Sequence, residues 1–217
     1  NTLLFLLIYR IGSYIVLPGV DPSHLKQSAQ EGILGLLNMF AGGSFSRASV
    51  FALGVMPYIS ASIVIQLLTI AVPSFQKMQK EGESGRKQIN KITRILTVVI
   101  TAAQAIGYLK TMVPANAVLV NSTLFTISSV LILTSGTMFV MWLGEKITDK
   151  GIGNGISIII MVGIIARLPL SLVSELSTRL NGAGGIITFI IENVILLGIV
   201  MFAILIVQGT RKIPVQY

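Results

Sequence analysis

Residues Ala48–Val72 read ASVFALGVMPYISASIVIQLLTIAV, twenty-five positions without a charge. A helix rises 1.5 Å per residue and a bilayer core is about 30 Å thick, so roughly 20 mostly apolar residues cross it. This stretch is long enough, and the chain around it has the same character. Of the 217 residues, 53% are hydrophobic and 11% charged, with a mean hydropathy of +0.85, against about 25% charged in a soluble domain. So few polar side chains cannot cover a water-soluble globule. An all-α polytopic membrane protein is expected and a soluble enzyme is excluded. With no cysteine and one histidine, His24, no metal site, cofactor or catalytic residue is expected.

Intervals between charges give six expected spans: residues 1–17, 48–72, 95–112, 124–143, 152–170 and 186–208. The chain opens directly in apolar sequence, so the natural protein is expected to begin earlier. A further apolar run at 32–43, GILGLLNMF followed by Ala41, Gly42 and Gly43, is too short to cross and reads as a re-entrant segment. Residues 73–94 are polar and glycine-punctuated and read as a basic loop with at most a helical flank; 144–151 reads as a turn, and 209–217 as the start of another loop. Six crossings put these three segments on one side with ten basic residues, leaving Lys26, Arg47, Lys110, Arg167 and Arg179 opposite. The positive-inside rule makes the richer side, and the N-terminus, cytoplasmic. Much of the net charge of +8 is therefore a topology signal.

Within the second span Pro57 removes a backbone hydrogen bond and is expected to kink the helix. Val55, Ile59 and Ile63 share one helical face at a spacing of four, and Ile156 and Ile160 repeat that spacing in the fifth span. Stiff β-branched side chains from several helices suit either ordinary packing or a narrow dry constriction that gates by dewetting. Arg10 and Glu192 are charges near span ends, within reach of snorkelling. Gln66, Gln104 and Asn154 suit interhelical hydrogen bonds or a polar lining. The GILG, AGG and GIGNG tracts lack the strand, helix and Lys-Ser/Thr of a phosphate loop, so no nucleotide is expected.

The runs NMFAGGSFSRASVFALGVMPYISASIVIQLLT, KEGESGRK, GTMFVMWLGEKITDKGIGNGISIII and QGTRKIPVQY resemble, in order, the bacterial SecY family, the channel subunit of the general protein-export translocase. That resemblance implies six of ten transmembrane helices arranged in two pseudo-symmetric halves. It makes Gly32, Ile33, Leu34, Gly35, Leu36, Leu37, Asn38, Met39 and Phe40 a plug helix. Val55, Ile59, Ile156 and Ile160 become half of an aliphatic pore ring; Ile63, Gln66 and Asn154 fall at a lateral gate. Arg211 and Lys212 begin a loop that docks cytosolic partners, and Arg86 and Lys87 stand in a second basic loop on that side. The implied function is passive conduction of unfolded secretory polypeptides across the bacterial inner membrane, with membrane helices released sideways into lipid. The implied partners are SecE-like and SecG-like subunits, the SecA motor ATPase, the ribosome, signal-sequence-bearing polypeptides, the bilayer and a YidC-like insertase. A secondary transporter is the rival class, since broken helices also build transport sites, but Gln66, Gln104 and Asn154 are all the midplane offers it.

Overall fold

The computed structural model describes residues 2–21, 25, 32–114, 117–118, 122–151, 153–181 and 185–209. Arg211 and Lys212 lie outside them, as do the side chains of Gly32, Ile33, Leu34 and Leu36. The described residues form α1 (Thr2–Gly12), α2 (Gly32–Phe40), α3 (Met56–Ala71), α4 (Pro73–Lys80), α5 (Glu83–Met112), α6 (Ser122–Lys150), α7 (Gly155–Ile165), α8 (Leu168–Asn181) and α9 (Gly185–Gln208). Two isolated antiparallel bridges, Val16 with Ser49 and Val20 with Val118, tie the connecting segments. The chain divides into two compact units at Arg167.

In the first unit, the stretch that opened the sequence reading is not one helix. Residues 41–55 run in successive turns, and Gly54 holds φ +54, a left-handed conformation that a helix interior does not admit. Pro57 then falls in the first turn of α3, where its missing N–H is no loss and its fixed φ favours the start. The proline expected to kink a helix begins one instead. At the other end Val72 is extended, and α4 leaves α3 at 99°. Residues 73–94, expected as a loop, are thus mostly helical. Glu83 pairs with Lys87 one turn on, at 2.8 Å, and α5 continues without a break into apolar sequence.

α5 packs against α3, α4 and α6. Its buried Thr93, Thr97 and Thr101 donate their hydroxyls to carbonyls one turn back, at 2.9, 2.8 and 2.6 Å, leaving small, satisfied surfaces of the kind membrane helices use to approach each other. At its polar end Arg94 holds Glu145 of α6 through two bonds, Nε at 3.2 Å and Nη2 at 2.7 Å. Tyr108 donates to the Phe45 carbonyl at 2.6 Å inside one apolar cluster with Leu17, Leu109 and Leu133.

The second unit is α8 with α9. Arg179 spans both, to Glu175 at 2.8 Å and Glu192 at 2.6 Å. Glu192 is therefore half of an ion pair rather than a lone charge reaching for the interface, and residues 171–181, left between the expected spans 152–170 and 186–208, lie within α8. None of the most apolar window of α9 is buried within the chain, as befits a helix whose solvent is lipid.

By length and composition, Glu83–Met112, Thr123–Lys150, Gly155–Leu180 and Gly185–Gln208 are candidate spans, and the bent α3 and α4 pair makes a fifth. Thr2–Gly12 is apolar but shorter.

Gly136 of α6 lies where any Cβ would meet the Val50 carbonyl oxygen. Gly136→Leu is expected to cost about 1–3 kcal/mol by overpacking, seen as a lowered melting temperature of the detergent-solubilised protein; an unchanged temperature would refute this packing.

Candidate functional site

Val55 is the residue at which α3 begins, and its carbonyl accepts from Ile59 N at 3.1 Å. Ile156 and Ile160 are positioned by the start of α7. Asn154 caps that helix, its Oδ1 accepting from the amides of Ile156 at 3.1 Å and Ser157 at 3.3 Å, a use for which asparagine is well suited. Thr148 of α6 accepts from Gly155 N at 2.8 Å while donating to the Gly144 carbonyl at 2.9 Å. A Cβ on Gly155 would meet Gly144 O, and would lie 2.7 Å from Ile147 Cβ. Backbone lies on backbone there, which brings the first turn of α7 into the bundle.

The result is one apolar cluster built on Tyr9, Phe51, Val55, Val140, Leu143, Ile147 and Ile159, with Ile59, Ile156 and Ile160 packed against it. Val55 is 3% exposed and the other three are half-buried. Val55, Ile59, Ile156 and Ile160, four of the five residues marked by spacing, thus belong to or pack against one cluster. Ile63 does not join them: it is 51% exposed. Nor do Gln66 and Asn154 come together. Gln66 bonds Ser62 within its own helix, at 3.4 Å, and Asn154 lines a polar cleft of about 300 Å³ with Tyr58, Asn90, Arg94 and Glu145. Gln104 faces a different, mostly apolar cavity of about 390 Å³ bounded by Leu37, Leu53, Met56 and Tyr108. Arg86 and Lys87 are exposed at the start of α5.

α2 ends against α7. Built on Gly42, a Cβ would stand 3.3 Å from Gly163 Cα, and one on Gly163 equally close to the Phe40 carbonyl. Gly42 and Gly43 hold φ +61 and +84, so glycine serves both conformation and space. Asn38 is buried, accepting at its carbonyl from Gly43 N (2.8 Å) and at Oδ1 from Ser46 N (3.1 Å). Arg10 and Arg47 each donate to the Gly42 carbonyl at 3.4 Å. No sequence signal points to that convergence, since the two arginines belong to unrelated segments with no shared periodicity. Among the described residues no group of three His, Asp or Glu side chains stands close enough to hold a metal.

A family model described as SecY matches residues 49–217. The protein translocase subunit SecY of Escherichia coli is 43% identical over 219 residues, covering 98% of this chain and 49% of that protein; that of Vibrio cholerae is 43% identical over 218 residues, covering 98% and 49%. Among solved structures, one titled "The structure of a protein conducting channel" superposes with a TM-score of 0.64 at 17% identity, over 93% of this chain and 46% of that one. Sec61 in the canine ribosome-channel complex from the endoplasmic reticulum gives 0.63 at 16%, over 99% and 48%. The fold and its apolar helices define an all-α, multi-pass membrane protein. The chain belongs to the SecY family, and it spans about half the length of the relatives it matches.

Removing the cap by Asn154→Ala is expected to destabilise the start of α7 by about 1 kcal/mol, with Asn154→Asp largely neutral. Hydrogen exchange at Ile156 and Ser157 reads this directly, and equal exchange in all three proteins would count against the cap.

Proposed function

We propose that the chain is the N-terminal, six-span portion of a SecY channel subunit, conducting unfolded polypeptides across the bacterial inner membrane and passing membrane helices sideways into lipid. The observation that carries this reading is the convergence of Val55, Ile59, Ile156 and Ile160 on one apolar cluster, in the unit that also packs α2 against α7. In this reading α1 and the bent α3 and α4 pair supply the first two spans. The four aliphatic residues supply half of a constriction, the other half coming from helices beyond this chain. An apolar ring makes no specific hydrogen bonds, so it fits around an extended chain of any sequence, and at rest it stays dry and opposes ions. α2 is the plug beneath it. Ile63, exposed on α3, and Gln66 beyond it face the lateral gate, where a segment leaves by apolarity at roughly 25 cal/mol per Å² of surface removed from water.

The motion requires no chemistry of the channel. Its energy comes from partners on the basic side: SecA or the ribosome, meeting Arg211, Lys212 and the Arg86–Lys87 turn, with SecE-like and SecG-like subunits beside the helices and a YidC-like insertase accepting released spans. The N-terminus is cytoplasmic by the distribution of Lys and Arg.

In the complete protein reconstituted in a planar bilayer, deletion of Gly32–Phe40 is expected to raise resting ion conductance several-fold, and an unchanged conductance removes α2 from the plug role. Ile59→Asn or Ile160→Asn should also favour the open state, because a hydrated ring no longer excludes water; closed-state conductance equal to that of the unaltered channel would place these side chains away from the pore. Arg86→Glu with Lys87→Glu should weaken SecA or ribosome binding to inverted vesicles, and undiminished binding would relieve this turn of a docking role.

A further inference from the structure

Channel function leaves one cluster unused. Arg10 of α1, Arg47 from the turns after α2, and Arg167 at the end of α7 converge on Gly42 and Gly43. Arg10 Nη1 and Arg47 Nη2 share the Gly42 carbonyl, each at 3.4 Å. A Cβ on Gly43 would lie 2.8 Å from Arg167 Nη2. The Tyr14 ring lies 5.0 Å from Arg10 Cζ and 4.4 Å from Arg47 Cζ, and its hydroxyl accepts from Arg10 Nη2 at 3.0 Å. All of these residues belong to one compact unit.

Three cations so close together repel one another, and the expected remedy is a carboxylate. Among the described residues none pairs with them: the ion pairs there are Glu83–Lys87, Arg94–Glu145, and Arg179 with Glu175 and Glu192. Arg47 Nε is enclosed with no acceptor. Burial holds the Arg47 pKa below its ordinary value; Tyr14 opposes this, while Arg10 and Arg167 push it further down. Membrane sorting does not explain the grouping either, because Arg47 and Arg167 lie on the side that the positive-inside rule leaves poor in cations. What remains is an anion from beyond the described residues. Guanidinium forks match tetrahedral oxyanions and bind them through paired, charge-assisted bonds. The exposed Ile11, Tyr14 and Ile15 beside the cluster form an apolar rim suited to acyl chains.

We propose that Arg10, Arg47 and Arg167 form a binding site for a phosphate group, carried by a lipid headgroup or free in solution, at the base of α2. The phosphate accepts charge-assisted hydrogen bonds from the three guanidinium groups and bridges them. Occupancy then stiffens the junction of α1, α2 and α7.

The complete protein tests this in three arms: nanodiscs of phosphatidylglycerol, nanodiscs of phosphatidylcholine, and detergent with added inorganic phosphate. Native mass spectrometry counts retained phosphatidylglycerol, and thermal denaturation reads stabilisation. Arg47→Gln and Arg167→Gln are each expected to lower phosphatidylglycerol retention at least about threefold and to abolish the extra stability in that lipid, while Lys110→Gln, an exposed cation elsewhere, changes neither. Stabilisation by phosphatidylglycerol alone identifies a headgroup; stabilisation by inorganic phosphate as well identifies a free-phosphate site. Should Arg47→Gln fail to fold, Arg167→Gln, altering a half-buried side chain, carries the test alone. Retention and stabilisation equal in the arginine variants and the unaltered protein, or lost equally in Lys110→Gln, overturn the proposal.

Discussion

Backbone against backbone is the contact on which the first unit depends. In lipid, apolar side chains gain little by meeting each other, and helices associate where small residues let main chains touch. The Gly144–Gly155 approach seats α7 on α6, the Gly136–Val50 approach seats the turns before α3, and the Gly42–Gly163 approach seats the end of α2. Remove the first and the Asn154 cap starts a helix in the wrong place. Ile156 and Ile160 then no longer reach the cluster that holds Val55 and Ile59.

The second determinant is where helices are not allowed to run. Gly54 and Pro57 stop the second apolar stretch from forming one continuous helix, and Val72 with Pro73 turns its other end through 99°. An uninterrupted helix from Ala48 would take Phe51 out of the turns from which it stacks on Tyr9. Broken backbone at membrane depth is tolerated only where protein or water satisfies it; here the amides of Ala41, Gly42, Gly43, Ser44, Ala48, Ser49, Ala52 and Gly54 find carbonyl acceptors within five residues, and Val50 N reaches the Ile15 carbonyl.

Much of this was legible from residues alone, for definable reasons. Membrane character follows from composition. Spacing of four marked Val55, Ile59 and Ile63 and, separately, Ile156 and Ile160, but which of them share one cluster is decided by packing between helices, which periodicity does not carry. What was misjudged depends on pairings that composition does not register, some one helical turn apart and some distant in sequence. Residues 73–94 looked like a loop because they are polar, yet Glu83 with Lys87 and Arg94 with Glu145 make polar residues compatible with helix. Residues 171–181 looked like an outside loop for the same reason, until Glu175, Arg179 and Glu192 are seen as one ion-paired group. Gln66 and Asn154, grouped by resemblance, serve separate helices. The arginines around Gly42 had no sequence signature at all: each lies in a different segment, and only the fold assembles them.

The manner in which α2 is held has a mechanical meaning. Its last residues bond along their own chain, and the described links from its end to α1 and α7 are guanidinium forks on one carbonyl and van der Waals contact at Gly163. No backbone ladder joins it to a neighbouring helix among the described residues. Any excursion of this segment therefore breaks side-chain bonds and packing, Leu37 from the apolar cluster and Gly42 from Gly163, but no interhelical backbone bond among the described residues.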